Sequence, residues 1–139
     1  MATAKRSGAA ALPVRPGEKS WTDAELDKVR SELLAEIEEL RTNIDQAESE
    51  IAERLGDAVG GAGDDQADAG AKTFQREYDL SLTQNARELL DSTQSALARI
   101  DDGSYGVCAS CGEPIGKARL KAFPRATLCV RCKQREERR

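Results

Sequence analysis

Residues 105–132 read YGVCASCGEPIGKARLKAFPRATLCVRC and hold all four cysteines of the chain. Cys108 and Cys111 form one C-x2-C pair, Cys129 and Cys132 form a second, and seventeen residues separate the pairs. A C-x2-C pair on a tight turn, here followed by Gly112, aims two thiolates at one point. Two such turns fill the four tetrahedral positions that Zn2+ prefers, at about 2.3 Å Zn–S. Four thiolates leave no position open for water, so the expected ion is one structural zinc rather than a catalytic one. Two disulfides, or a redox or iron–sulfur role, are the competing readings of the same residues. The chain shows no secretory signal, which speaks against stable disulfides, and the paired spacing differs from the usual cluster-ligand runs.

The remaining sequence is too thin in large apolar groups to build a globule around this module. Of 139 residues 33% are charged, five are aromatic and none is His. Such a composition points to long amphipathic helices attached to a metal-stapled module. With no His, and no nucleophile beside a base, ordinary catalysis is not expected. Charge is unevenly spread. Residues 1–22 carry four basic and one acidic side chain, residues 23–102 eight basic and twenty-one acidic, and residues 103–139 nine basic and three acidic. An acidic middle between basic ends suits a protein that sets its ends against surfaces of different sign, and it does not suit a general DNA binder.

Upstream of the cysteines, Thr22 and Glu25 form a capping-box pattern preceded by Trp21. Leu26, Val29, Leu33, Ile37, Leu40, Ile44, Ala47, Ile51 and Leu55 then recur at alternating three- and four-residue steps, an a/d-type stripe. A helix of this kind runs about 50 Å and needs a partner stripe. The segment from Gly56 to Lys72 contains five glycines and the carboxylates Asp64, Asp65 and Asp68, and is expected as a loop or loosely wound acidic tip near 57–72. Phe74, Tyr78, Leu82, Leu89, Ala96 and Ile100, with Leu90 and Leu97 beside them, supply the second stripe, and Asp101, Asp102 and Gly103 the stop signal.

The expected fold is therefore all-α dominated: an antiparallel coiled-coil hairpin over 21–102, followed by a small four-cysteine zinc-finger module over 103–139 with a short basic C-terminal segment. A parallel homodimer of the first helix is the alternative pairing. Residues 1–20 are expected as a disordered basic tail. Trp21 is expected to pack the hairpin base, and Tyr105, Ile115, Leu120 and Phe123 to form the core of the module. Arg119, Lys121 and Arg125 are candidates for contacts to a partner or a phosphate ligand.

The sequence also resembles the DksA/TraR family of bacterial transcription regulators. The resemblance is carried by R-I-x-x-G-x-Y-G-x-C-x-x-C-G-x-x-I at Arg99, Ile100, Gly103, Tyr105, Gly106, Cys108, Cys111, Gly112 and Ile115. It continues with Arg119, Leu120, Ala122, Pro124, Ala126, Cys129 and Cys132, and covers about residues 22–135. It implies a monomeric cytoplasmic factor that binds RNA polymerase directly, with no sequence-specific DNA binding and no membrane association. In such proteins the hairpin enters the secondary channel, the tip approaches the active centre, the zinc module stays at the rim, and promoter open complexes are altered, often together with ppGpp in the stringent response. The resemblance also makes Arg119, Lys121 and Arg125 candidates for polymerase or ppGpp contacts. The family's tip pattern, D-x-x-D-x-A, falls on Asp65, Asp68 and Gly70, so both acids are kept and the small apolar residue is not.

Two other functions compete. A nucleic-acid-binding zinc protein would use the basic ends, and is opposed by the acidic hairpin. A thiol-redox sensor would release zinc on oxidation.

Overall fold

The computed structural model describes residues 8–60 and 66–138. Five helices lie among them: α1 (Gly8–Ala11), α2 (Asp23–Gly60), α3 (Gln66–Asp102), α4 (Lys117–Ala122) and α5 (Val130–Glu137). The described residues hold no strand, only an isolated antiparallel bridge between Val107 and Pro114. None of these helices is long and apolar enough to cross a membrane.

The start of α2 is the expected capping box. The Thr22 amide donates to Glu25 Oε1 at 3.0 Å, and the Glu25 amide donates to Thr22 Oγ1 at 3.1 Å, so two amides that the helix leaves unpaired find acceptors. The end of α3 is equally local in origin. Gly103 takes φ 83° and the Ser104 amide returns to the Arg99 carbonyl at 3.0 Å, a left-handed C-terminal cap.

Two compact units divide the chain. Residues 1–36 and 92–139 form the first, and residues 37–91 the second. In the first, Val29 and Leu33 of α2 and Ala96 and Ile100 of α3 join Trp21, Tyr105, Cys108, Ile115, Leu120 and Cys132 in one apolar cluster. Arg30 pairs with Asp101, and the Thr93 hydroxyl reaches Glu36, so the two helices run antiparallel there. In the second unit Arg87 pairs with Glu48 and Arg54 with Asp79, again an antiparallel order.

The first stripe is the one expected. Val29, Leu33, Ile37 and Ile44 are buried, and Leu26, Leu40, Ala47 and Ile51 are half-buried; Leu55 lies outside the residues whose side chains are described. The second stripe differs. Ala96 and Ile100 are buried as expected, with Leu90 and Leu97 half-buried beside them, but Phe74, Tyr78, Leu82 and Leu89 are exposed, and in their place Asp79, Thr83 and Ala86 are the covered positions toward the start of α3. From Asp79 to Leu90 the covered positions follow four-, three- and four-residue steps, which Tyr78, Leu82 and Leu89 do not. Register along the whole helix outweighs the size of individual side chains.

Two further expectations are corrected. The glycine-rich segment is not a loop throughout, because α2 continues to Gly60 and α3 begins at Gln66. Once a helix is nucleated, each glycine weakens it by only about 1 kcal/mol relative to Ala. The N-terminal tail is not disordered from Gly8 onward. Ala9 and Leu12 are buried in the apolar cluster of the first unit, because a run with that much apolar surface is stabilised by covering it.

Candidate metal centre

The first cysteine pair sits on a knuckle made by backbone hydrogen bonds. The Cys108 amide donates to the Glu113 carbonyl at 2.8 Å, the Gly112 amide to the Cys108 carbonyl at 3.0 Å, and the Ile115 amide to the Gly106 carbonyl at 2.8 Å. Gly112 at φ 77° and Gly106 at φ 94° take the left-handed conformations that let the chain turn this tightly. The second pair is set by α5. Cys129 is its N-cap residue, and Cys132 follows in the first turn. Ala109 donates to the Thr127 carbonyl at 2.8 Å, which ties the two knuckles together.

This scaffold brings all four sulfurs within 4.8 Å of one another. A tetrahedron with Zn–S bonds of about 2.3 Å has edges of about 3.8 Å, and the Cys111–Cys129 separation is 3.8 Å. The donor set and its size therefore fit zinc. The electrostatics suit a cation as well. Burial raises the Cys108 thiol, but amides of Cys111, Cys129 and Ser110 outweigh it and bring it down to about 6. At Cys132 a Ser110 contact favours the thiolate, yet burial and the three neighbouring sulfurs hold the thiol up at about 11. One site is poised to ionise while another resists further negative charge, a conflict that a divalent ion resolves.

Cys108 and Cys132 are buried, and Cys108, Cys132, Tyr105, Ile115 and Leu120 share one cluster. The Tyr105 hydroxyl donates to the Pro124 carbonyl at 2.8 Å, and burial raises its pKa. Trp21 packs against Tyr105 with ring centroids 6.2 Å apart. Phe123 departs from expectation: it is 61% exposed, with the Arg119 guanidinium 5.6 Å from its ring centre, so it lies outside the module's core.

All three basic candidates are engaged within the chain. Arg119 Nε donates to the Leu128 carbonyl at 3.1 Å, Lys121 pairs with Glu25, and Arg125 pairs with Glu36. Lys117, not singled out in the sequence, also pairs with Glu25 at 2.6 Å and lies 5.8 Å from the Trp21 ring centre. Hydrogen bonds from Lys117, then Lys121, then the Thr22 amide lower the Glu25 carboxyl to about 2.

Glu18 is the second group that sequence reasoning missed. Its carboxylate accepts from the Lys117 amide at 2.9 Å, the Ala118 amide at 3.2 Å and the Arg15 amide at 2.8 Å. It thereby caps α4, whose own N-cap residue, Gly116, has no side chain to do so. The Lys117 amide is the main cause of its lowered pKa. The available signal was the apolar run from Ala9 to Val14, too apolar for a solvated tail. Of the acidic tip, Asp68 lies exposed in the first turn of α3, while Asp64 and Asp65 lie outside the described residues.

Comparison with known proteins agrees with this geometry. The prokaryotic dksA/traR C4-type zinc finger matches residues 103–138. The RNA polymerase-binding transcription factor DksA of Caulobacter vibrioides is 35% identical over 127 residues, covering 90% of this chain and 86% of that protein. The factor of the same name from Escherichia coli strain K12 is 29% identical over 119 residues, covering 86% and 76%. The structure of transcription factor DksA2 from Pseudomonas aeruginosa superposes with a TM-score of 0.68 at 35% identity, covering 84% of this chain and 85% of that one. Likeness on this scale extends well beyond the zinc finger into the paired helices, and the chain belongs to the DksA family, with a structural zinc ion as its cofactor.

Proposed function

We propose that this protein is a transcription regulator that binds RNA polymerase directly and inserts its coiled-coil hairpin into the secondary channel, changing the lifetime of promoter open complexes. The observation that carries the reading is the joining of long antiparallel helices to a C4 module in one chain, in a family whose relatives bear the name RNA polymerase-binding transcription factor. A long hairpin is a reaching device, and the carboxylates Asp64, Asp65 and Asp68 are the group it would carry to a site rich in Mg2+ or basic side chains. Cys108, Cys111, Cys129 and Cys132 are the zinc ligands in this reading. Zinc, when bound, cross-links the two knuckles and supplies no open coordination position, so the protein acts by binding rather than by catalysis. It works as a monomer in the cytoplasm, because each long helix already has an intrachain partner, and it reads no DNA sequence.

Arg119, Lys121 and Arg125 hold the module in place in this scheme, through Leu128, Glu25 and Glu36. The same three side chains are the proposed contacts to polymerase or ppGpp. The test is initiation in vitro by the cognate polymerase at a ribosomal RNA promoter, with and without ppGpp. Wild type is expected to shorten the open-complex lifetime, and Asp65→Asn with Asp68→Asn to abolish the effect while retaining polymerase binding. Unchanged initiation with wild type under both conditions would limit the family resemblance to fold.

A further inference from the structure

The second unit buries the wrong face of α3 by the measure of side-chain size. The covered positions are Asp79, Thr83, Ala86 and Leu90, whereas Phe74, Tyr78, Leu82 and Leu89 stand 73%, 53%, 51% and 42% exposed. Tyr78, Leu82 and Leu89 each precede a covered position, Asp79, Thr83 and Leu90, by one residue, a rotation of about 100° on an α-helix, and the same rotation would bring Asn85 to the place of Ala86. Both sets lead into the same buried residues, Thr93, Ala96 and Ile100. The observed set joins them by a three-residue step, Leu90 to Thr93, and the exposed set by a four-residue step, Leu89 to Thr93. Passing from one step to the other requires a change in helix winding between Leu89 and Thr93, of the kind by which coiled coils absorb departures from the heptad.

Among the described residues, two ion pairs tie this face of α3 to α2, beside the half-buried Ala86 and Leu90. Arg54 pairs with Asp79 and Arg87 pairs with Glu48 across the two helices, whereas the bond from Gln75 Nε2 to Asp79 Oδ1 at 3.0 Å lies within α3. The Thr83 hydroxyl donates at 2.9 Å to the Asp79 carbonyl one turn back, so this bond travels with the helix and does not hold it to α2. The opposing stripe of α2, Ile44, Ala47 and Ile51, is apolar and would accept either face.

We propose that α3 within residues 66–91 exchanges between two rotational registers on α2: the observed one, fixed by Asp79 and its ion pair, and a second in which Tyr78, Leu82 and Leu89 are covered instead. The exchange turns Asp68, on the same helix, about the helix axis by roughly 100°. That this matters for the tip rests on the proposed function; the exchange itself does not, and its test needs no polymerase.

The chain has two tyrosines, which suit fluorine NMR of the zinc-loaded, full-length protein labelled with 3-fluorotyrosine. Tyr105 is fully buried and serves as the internal reference, and Tyr78 is the reporter. In wild type the Tyr78 resonance is expected to show relaxation dispersion. Asp79→Lys, which repels Arg54, should move it to a covered position with a smaller H2O/D2O isotope shift than in Thr83→Leu, which favours the observed register and should give one sharp, solvent-exposed line. A Tyr78 line that is sharp, exposed and identical in all three proteins would overturn the proposal. Should Asp79→Lys unfold the unit, the variant Leu82→Gln with Leu89→Gln decides: it should abolish the wild-type dispersion, and dispersion that persists there would equally overturn it.

Discussion

Glu18 shows how much one carboxylate outside the metal site contributes to it. It closes the N-terminus of a six-residue helix from another part of the chain, a task usually performed by the residue just before the helix. Glu18→Gln keeps the shape and removes the charge, and should destabilise the zinc-loaded protein by about 1 kcal/mol in urea at neutral pH. The pH dependence follows from the direction of the shift. The Glu18 and Glu25 carboxyls lie below the ordinary value of 4.5 in the folded protein, so the stability they contribute is complete above that value and is lost as pH falls through the folded values. For Glu25 the loss extends down to about 2. Carbon-detected NMR titration should find both carboxyls below the ordinary 4.5, with Glu25 still ionised at pH 4, and ordinary titration near 4.5 would contradict the capping geometry. The Glu25 capping box was legible in the sequence, and the apolar run from Ala9 to Val14 hinted that the segment docks, but the Glu18 cap was not: Glu18 and Lys117 lie 99 residues apart, and no local pattern connects them.

At the scale of elements, what was legible followed from periodicity and local chemistry. The α2 stripe and its capping box rest on interactions within a few residues, as do the stop at Gly103 and the two knuckles. On α3, Ala96 and Ile100 were legible, but the face in the second unit was not, because Asp79 and Thr83 occupy covered positions whose polarity is met by Arg54, Gln75 and the helix's own backbone. The reach of the helices into the glycine-rich segment was hidden for a related reason: propensity is a weak local preference that an established helix overrides. Gly70 is a case in point. It is helical, and a Cβ built there meets nothing within 4 Å. Gly70→Ala should therefore stabilise the start of α3 by about 1 kcal/mol, seen as slower amide hydrogen exchange from Lys72 to Arg76. Unchanged or faster exchange would mean that these residues are not helical in solution.

On the scale of the whole molecule, the metal and the apolar cluster of the first unit are one structure, since Cys108 and Cys132 belong to the same cluster as Trp21, Tyr105, Val29 and Ile100. Removing zinc should therefore reach beyond the knuckles. A strong chelator, or a mercurial with a colorimetric zinc indicator, should release one zinc per chain. Trp21 fluorescence, from a buried ring, should shift to the red in parallel, while most far-UV helicity of the second unit is retained. Zinc release without change at Trp21 would show the module to be an independent appendage.

The segment around Glu18 has one more consequence, and it concerns time rather than stability. Its carboxylate and the Lys19 and Ser20 carbonyls meet partners 97 to 100 residues further along the chain, contacts that span most of a 139-residue sequence. Each must wait for a very large loop to close, whereas the ion pairs of the second unit bridge far shorter separations. Refolding from denaturant should thus proceed from the second unit toward the first. During synthesis on the ribosome, residues 8–20 are made early yet have nowhere to dock until the module that receives them has emerged.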